Sequence, residues 1–386
     1  MGQEAVIVAY GRSAVCKARK GSFAHTHPVD YGAQVLNGVL GKAPQLDSAE
    51  IEDVIVGCAM QTGRTSMNMA KLIAQRAHLP EPVCGQTINR FCSSSLQAVA
   101  TASNAILAGQ GTAMVAGGVE DMSGSFAPYP EELMEPWLVQ NEPGAYMAMG
   151  ITAENVAAKY HVTRTDMDVF AVLSHQKAAA AQAQGKLRKS IIPVTVTDAQ
   201  GREIVVDQDE GIRPDSTVET LSKLKPCFLP ETGTVTAATS SQTSDGAAFV
   251  LLMERSRAEK LGIRPIARLR SFAVAGCDAT MMGLGPIYAV PKALERANLT
   301  TADMDDIELN EAFAAQAIPC MRELKLSPEK VNPYGGAIAL GHPMGATGVV
   351  LTCKLLDYLA DTGGKYGLVT MCIGGGMGAA GVFEML

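Results

Sequence analysis

An α/β fold made of two similar halves, interrupted by a long inserted segment, is what this sequence predicts. Three observations carry that expectation. Residues 48–57 read SAEIEDVIVG and residues 301–310 read TADMDDIELN. Seven successive positions match in type: hydroxyl, alanine, acid, large apolar, acid, aspartate, β-branched. Around each copy the same kinds of element follow in the same order, as a repeated α/β unit requires. The stretch between the copies, 122–242, fits neither.

Taken in order, the first half opens on VIVAYGRS, a strand-like start, and continues with the amphipathic helical pattern DYGAQVLNGVLG at 30–41. The repeat then leads into a short apolar strand, DVIVG. A small-residue turn at Cys92 runs into a helix, CSSSLQAVATASNAILAG, and a glycine-ended strand follows, TAMVAGGVE. The second half repeats this: helix AVPKALERANL at 289–299, strand DIELN, a turn and helix from Gly341, GHPMGATGVVLTCKLLDYLA, then strand YGLVTMCIGGG. The expected units are 1–121 with 243–264, the insertion 122–242, and 265–386. The insertion holds MSGSFAPYPEELMEPW, a long helical stretch from Thr152, and the polar GIRPDSTVETLSKLKP. Long insertions in compact units are usually functional, and this one reads as a lid or ligand-binding subdomain. If the halves pack with pseudo-symmetry, their two small-residue turns face each other and Cys92 comes near His342.

The bulk numbers agree with a globular enzyme-sized chain. Its 386 residues exceed one ordinary core, and 47% apolar with 18% charged residues supplies buried sheets and helices. A net charge of −7 argues against nucleic-acid binding. The nine cysteines are scattered, with no CxxC pair and no His-rich segment, so neither a disulfide framework nor a metal site is expected. The start shows no basic-then-apolar leader, and no stretch reaches the length of a membrane span. Gly2 is followed at position 6 by Val6, where N-myristoylation needs Ser or Thr. A cytoplasmic protein, off the membrane, is the default.

Four segments hold residues suited to chemistry. In NRFCSSSLQAV, 89–99, Cys92 stands where a helix begins, so free N–H groups and the helix dipole would favour a thiolate. A buried structural cysteine is the other reading. His342 projects from the glycine-rich GGAIALGHPMGATG, 335–348, in the repeat position that corresponds to Cys92; it is either a structural histidine or the base of a Cys–His pair. Cys372 ends a strand in TMCIGGGMG, either as core or as a proton donor and acceptor. That glycine run also spells GxGxxG through Gly376, Gly378 and Gly381. Too few residues follow for the helix, strand and acid of a dinucleotide site, so its N–H groups suit an oxyanion better. Asn310 and Glu311 open NEAFA, either as a helix start or as holders of a water or ligand at the end of the repeated strand.

Together these segments closely resemble the thiolase family, from VIVAYGRS to the last strand. NRFCSSSLQAVATASNAI looks like its nucleophile signature, and NEAFA, GGAIALGHPMGATG and CIGGGMG look like its three C-terminal catalytic loops. The resemblance implies a five-layer αβαβα core of two similar halves, a loop domain over coenzyme A, and a homodimer or homotetramer. It implies Cys92 as the acylated nucleophile, His342 as its base, and Cys372 as the acid/base at the acetyl-CoA α-carbon. Asn310 would hold a water with His342 in one oxyanion hole, and the N–H groups of Cys92 and Gly374 would form another. Arg213 and Ser241 match positions near coenzyme A, which is a co-substrate and not a bound cofactor. The partners implied are 3-ketoacyl-CoA, acetyl-CoA and CoA.

The chemistry is coherent by itself: breaking a carbon–carbon bond beside a ketone takes a nucleophile at the keto carbon and an acid at the departing carbanion. Short-chain biosynthetic members of the family carry a histidine just before the Met-Gly of the loop domain, but YMAMGITAEN has Ala148 before Met149. The expectation is therefore reversible thiolysis of 3-ketoacyl-CoA, as in fatty-acid β-oxidation, with a roomier acyl pocket lined by Ala148, Met149, Met282 and Phe313. The rivals are an acetoacetyl-CoA thiolase, a decarboxylating condensing enzyme, which would need a second active-site histidine, and a non-catalytic lipid-CoA binding module.

Overall fold

The computed structural model describes residues 3–126 and 129–386, so the reading of Gly2 lies outside the described residues. The first half comprises β1 (Ala5–Arg12), β2 (Cys16–Lys17), α1 (Pro28–Leu40), β3 (Ile51–Gly57), α2 (Met69–Arg76), β4 (Cys84–Ile88), α3 (Ser94–Leu107) and β5 (Ala113–Asp121). The insertion follows, with α4 (Pro136–Asn141), α5 (Met149–Lys159), α6 (Arg164–Ala183), the hairpin β6 (Val194–Thr197) and β7 (Glu203–Val206), and α7 (Val218–Ser222). The chain then returns through β8 (Ser244–Glu254) and α8 (Arg255–Lys260). The second half is β9 (Ala267–Gly276), α9 (Gly285–Ala297), β10 (Asp306–Leu309), α10 (Ala314–Glu323), α11 (Ala337–Leu340), α12 (Met344–Thr362), β11 (Tyr366–Ile373) and β12 (Met377–Met385).

Strand order shows the duplication. In the first half it runs β1-β8-β5-β3-β4, and in the second β9-β12-β11-β10. The senses match too: β3 and β5 are parallel, as are β10 and β11, while β5–β8–β1 and β11–β12–β9 are antiparallel. Val331 bridges β10 in parallel where β4 borders β3. The halves join where Ile7 of β1 meets Ala267 of β9. The repeated sequence forms the same structure twice: a 3₁₀ turn at Ser48–Glu50 capped by Asp47, and one at Thr301–Asp303 capped by Thr300, each feeding a strand.

Side-chain alternation builds the layers. Ala247, Phe249, Leu251 and Met253 of β8 pack with Tyr31, Val35 and Leu36 of α1, whereas Ala248, Val250 and Leu252 face the opposite way. On that side they meet Leu96 and Val99 of α3 and Val349 of α12, which also pack under Val369, Met371 and Phe383 of the second half. Beyond the second half, Ala289, Val290 and Leu294 of α9 and Ala317 of α10 cover Leu368, Ala380 and Val382. The result is five layers: helices, sheet, the central pair α3 and α12, sheet, helices. Insertion helices α5 and α6 share a core with Ala314, Ala315 and Ile318 of α10, and the β6–β7 hairpin packs on the first half through Val194, Val196 and Val206. No helix of the described residues is long and apolar enough to cross a membrane.

Candidate active site

The two central helices open side by side. Cys92 lies two residues before α3 begins at Ser94, and His342 two residues before α12 begins at Met344. Glycine makes the approach possible: a Cβ on Gly348 would sit 2.5 Å from the Leu96 nitrogen. The Val349 N–H donates to Ser95 Oγ at 3.1 Å, so this buried serine of the CSSS run is a hydrogen-bonding residue of the junction. The preceding turn is strained, since Phe91 has φ of 44°. Asn89 Oδ1 accepts the Phe91 N–H at 2.8 Å, and Ser94 Oγ donates to the Phe91 carbonyl at 2.7 Å. Both hold that backbone in place.

The backbone N–H groups of Gly374, from the second half, and of Cys92 itself lower the Cys92 thiol. The helix start therefore offers the donors expected of it. Burial opposes the expected thiolate: it pushes the thiol up to about 11, and those N–H groups only partly offset it. Desolvation of a charge outweighs two neutral donors when no cation is nearby. Gly374 opens the turn between β11 and β12, where Gly375 and Gly376 both have φ of 80°, a conformation that disfavours a side chain.

His342 is buried, which lowers it to about 4 and keeps it neutral. Its tautomer follows from its neighbours. Thr347 Oγ1 spends its proton on the Pro343 carbonyl at 2.9 Å, so at 2.6 Å from His342 Nδ1 it accepts. Nδ1 carries the hydrogen, and Nε2 keeps a lone pair, 3.4 Å from Asn310 Nδ2. Asn310 is fully buried, and its Oδ1 has no partner among the described residues. Thr347 lies inside the glycine-rich motif, and a hydroxyl in a run of small residues was the available signal for it. Gln316 was also missed. It donates to the Asn310 carbonyl at 3.3 Å and accepts from the Phe313 N–H at 3.2 Å, tying down the NEAFA turn.

Cys372 is fully buried, and its thiol is raised well above the ordinary range by desolvation first and by Cys92 next. It packs with Met282 and Ala312, and Met149 and Phe313 lie against this cluster. Three of the four predicted pocket residues thus gather at Cys372. Ala148 is the exposed N-cap of α5, one residue before Met149. Glu311 turns elsewhere, accepting from Ser174 Oγ at 2.7 Å and Asn332 Nδ2 at 2.9 Å, so it braces the loop before α11 against α6. Ser241 donates its N–H to the Ala312 carbonyl at 2.9 Å and so borders the same turn. Arg213 is exposed; its backbone N–H donates to His175 Nδ1 at 3.1 Å. Among the described residues no three His, Cys, Asp or Glu side chains gather as metal ligands.

A neutral thiol at a helix start, a neutral imidazole whose Nε2 lone pair meets the Asn310 amide at 3.4 Å and a second buried thiol can together open and close a thioester. Comparison with known proteins bears on this arrangement. The model for the thiolase N-terminal domain matches residues 5–256, and that for the thiolase C-terminal domain matches 263–385. A 3-ketoacyl-CoA thiolase of Bacillus subtilis (strain 168) is 48% identical over 393 residues, covering 99% of this chain and 100% of the relative. One from Marinomonas sp. (strain MWYL1) is 44% identical over 384 residues, covering 99% and 98%. The crystal structure of the Bacillus anthracis acetyl-CoA acetyltransferase superposes with a TM-score of 0.92 at 36% identity, covering 100% of this chain and 99% of that one.

Proposed function

The chain belongs to the thiolase family, and from that premise we propose that it cleaves 3-ketoacyl-CoA with coenzyme A, giving acetyl-CoA and a shortened acyl-CoA. The meeting of the Cys92 and His342 helix starts at the α3–α12 junction carries this reading. Cys92 attacks the keto carbon as His342 Nε2 takes its proton, and the new oxyanion is held by hydrogen-bond donors. The C2–C3 bond then breaks, its electron pair passes to the acetyl-CoA enolate, and Cys372 protonates the α-carbon. An incoming CoA thiol returns a proton to Cys372 and attacks the acyl-enzyme. Cys92 leaves as thiolate and recovers its proton from His342, so atoms and charges close.

In this reading the Asn310 amide and His342 flank a water that binds the substrate thioester oxygen, and the unpartnered Asn310 Oδ1 is what supports such a guest. The Cys92 and Gly374 N–H groups hold the oxyanion of the acyl transfer. Segment 122–242 covers coenzyme A, with Arg213 and Ser241 at its polar end. Ala148, Met149, Met282 and Phe313 face the acyl chain. The absence of a ring at Ala148 favours chains longer than acetyl, as in cytoplasmic β-oxidation by a homodimer or homotetramer. An acid-quenched mixture with an acyl-CoA, digested and mapped by mass spectrometry, should carry its acyl group on Cys92. An adduct confined to another cysteine would overturn the assignment, and no adduct at all would favour a binding module.

A further inference from the structure

Glu120 is a buried carboxylate that the chemistry above does not use. It lies near the end of β5 with 0% exposure, and among the described residues no cation faces it. Its partners are backbone N–H groups and one thiol. Oε2 accepts from Ala59 at 2.9 Å and from Gly345 at 2.7 Å; Oε1 accepts from Met60 at 3.2 Å and from Cys58 Sγ at 3.7 Å. Burial pushes its carboxyl up to about 7, so a charge there is expensive to keep, and its four donors point to a task.

The two arms of that carboxylate lead to the two turns of the site. On one side the Ala59 carbonyl accepts from Asn89 Nδ2 at 2.9 Å, and Asn89 Oδ1 accepts the N–H of strained Phe91, the residue before Cys92. On the other side Gly345 is in the first turn of α12, three residues after His342. The N-cap of that helix is Pro343, whose side chain caps nothing, so Glu120 supplies the missing acceptor from another strand. Contacts there are tight: a Cβ on Gly345 would come within 2.7 Å of the Cys58 Cα.

We infer that Glu120 is a positioning residue, one carboxylate that pins the Cys92 turn and the His342 turn to each other across the two halves. The inference rests on the roles given above to Cys92 and His342. Facing the carboxylate are the Cys58 thiol from the end of β3 and, further off, the Cys92 thiol, which the Glu120 charge pushes up; the Tyr31 hydroxyl binds the Glu120 carbonyl instead. Asp121, the next residue, points to Arg64.

The test is E120Q, which keeps the shape but turns one acceptor into a donor facing backbone N–H groups. Single-turnover acylation of Cys92 by acyl-CoA should slow by about 10²-fold, the scale of a misplacement near 1 Å. The KM for CoA should hold. The pH midpoint for alkylation of Cys92 by iodoacetamide should move down, because a nearby negative charge is gone; a purely structural role would not shift it. If E120Q does not fold, E120D, charged but one methylene short of spanning both turns, should show the same slow acylation with the midpoint unmoved. Acylation within twofold of wild type in either folded variant would overturn the inference. Failure of the wild-type protein to acylate Cys92 would instead overturn the underlying assignment.

Discussion

In the first half, the repeated strand ends at Gly57 and the strand beside it carries Val119 and Glu120; in the second half, the matching strand leads to Asn310 and its neighbour carries Cys372 and Ile373. The pairing fixes this correspondence. Val56 opposes Gly117 as Leu309 opposes Thr370, so Gly57 answers to Asn310, and Val119 to Cys372. The same fold unit has been given two different jobs. A side chain at Gly57 would come within 2.4 Å of Ser94, so the first half cannot house an Asn310 equivalent without moving the helix that carries Cys92. The links after these strands differ as well. β11 returns to β12 through Gly374–Gly376, whereas β5 returns to β8 only after the whole insertion. In the proposed mechanism one half presents the nucleophile and the other the proton-handling groups, and the helix starts at Ser94 and Met344 open beside each other.

The largest effect that sharpens this asymmetry is at Cys372. In Cys372→Ala the nucleophile and its base remain, so acyl transfer from acyl-CoA to Cys92 should persist. Overall thiolysis should fall by about 10²–10⁴-fold, and solvent deuterium should no longer enter the acetyl-CoA methyl group. Mass spectrometry and NMR on one preparation separate the two. Normal exchange with lost acylation would mean the thiols are assigned the wrong way round.

A smaller loss is expected at Thr347, which lies beside His342 and holds its tautomer. Thr347→Val removes the acceptor of the Nδ1 hydrogen. The lone pair then spreads over both nitrogens, and acylation should slow by about 10–10²-fold while Thr347→Ser restores it. Nitrogen chemical shifts of the His342 ring would report the change directly, and an unchanged tautomer in the valine variant would refute the role.

The pH response follows from burial. His342, lowered to about 4, is neutral above that value and loses its base function only below it; Cys92, raised to about 11, ionises only near that value. Between the two, both groups are neutral and neither makes Cys92 acylation pH-dependent; Glu120, whose carboxyl burial pushes up to about 7, is the group in this range whose protonation should slow acylation as pH falls. Alkylation by iodoacetamide depends on the thiolate alone, so it should keep rising with pH beyond the usual thiol range. A midpoint near pH 7 would reveal a preformed thiolate–imidazolium pair.

Much of this was legible in the chain. The repeat at 48–57 and 301–310 exposed the duplication because local patterning is retained where both copies form a turn and a strand. Cys92, His342 and Cys372 stood out because small residues around them leave few packing roles. The β1–β9 junction was not legible, since apolar strands do not announce their neighbours. The partners of α5 and α6 were hidden for the same reason: an amphipathic face states that it is buried and not against what. The thiol's environment was half legible: a helix start is visible in sequence, whereas the desolvation that opposes a thiolate there is set by distant residues. Glu120 reads as an ordinary strand-end acid until the fold places Ala59 and Gly345 around it.

The smallest effect concerns the acyl chain, and it separates the two halves in another way. Met282 and Phe313 belong to the second half and Met149 to the insertion, so the apolar cluster at Cys372, the proposed acyl pocket, is built mainly outside the half that holds Cys92. Lengthening the chain should leave the chemistry at Cys92 alone and act through burial. Each methylene taken from water contributes up to about 0.8 kcal/mol, roughly fourfold in kcat/KM. With Ala148 in place of a ring, kcat/KM should hold or rise from acetoacetyl-CoA to medium-chain 3-ketoacyl-CoAs. Ala148→His should narrow the pocket mouth and flatten or reverse that trend while sparing the four-carbon substrate. A steep fall beyond four carbons in the unaltered protein would instead mean that Met149, Met282 and Phe313 close the pocket by themselves, and the reading as an acetoacetyl-CoA enzyme would take its place.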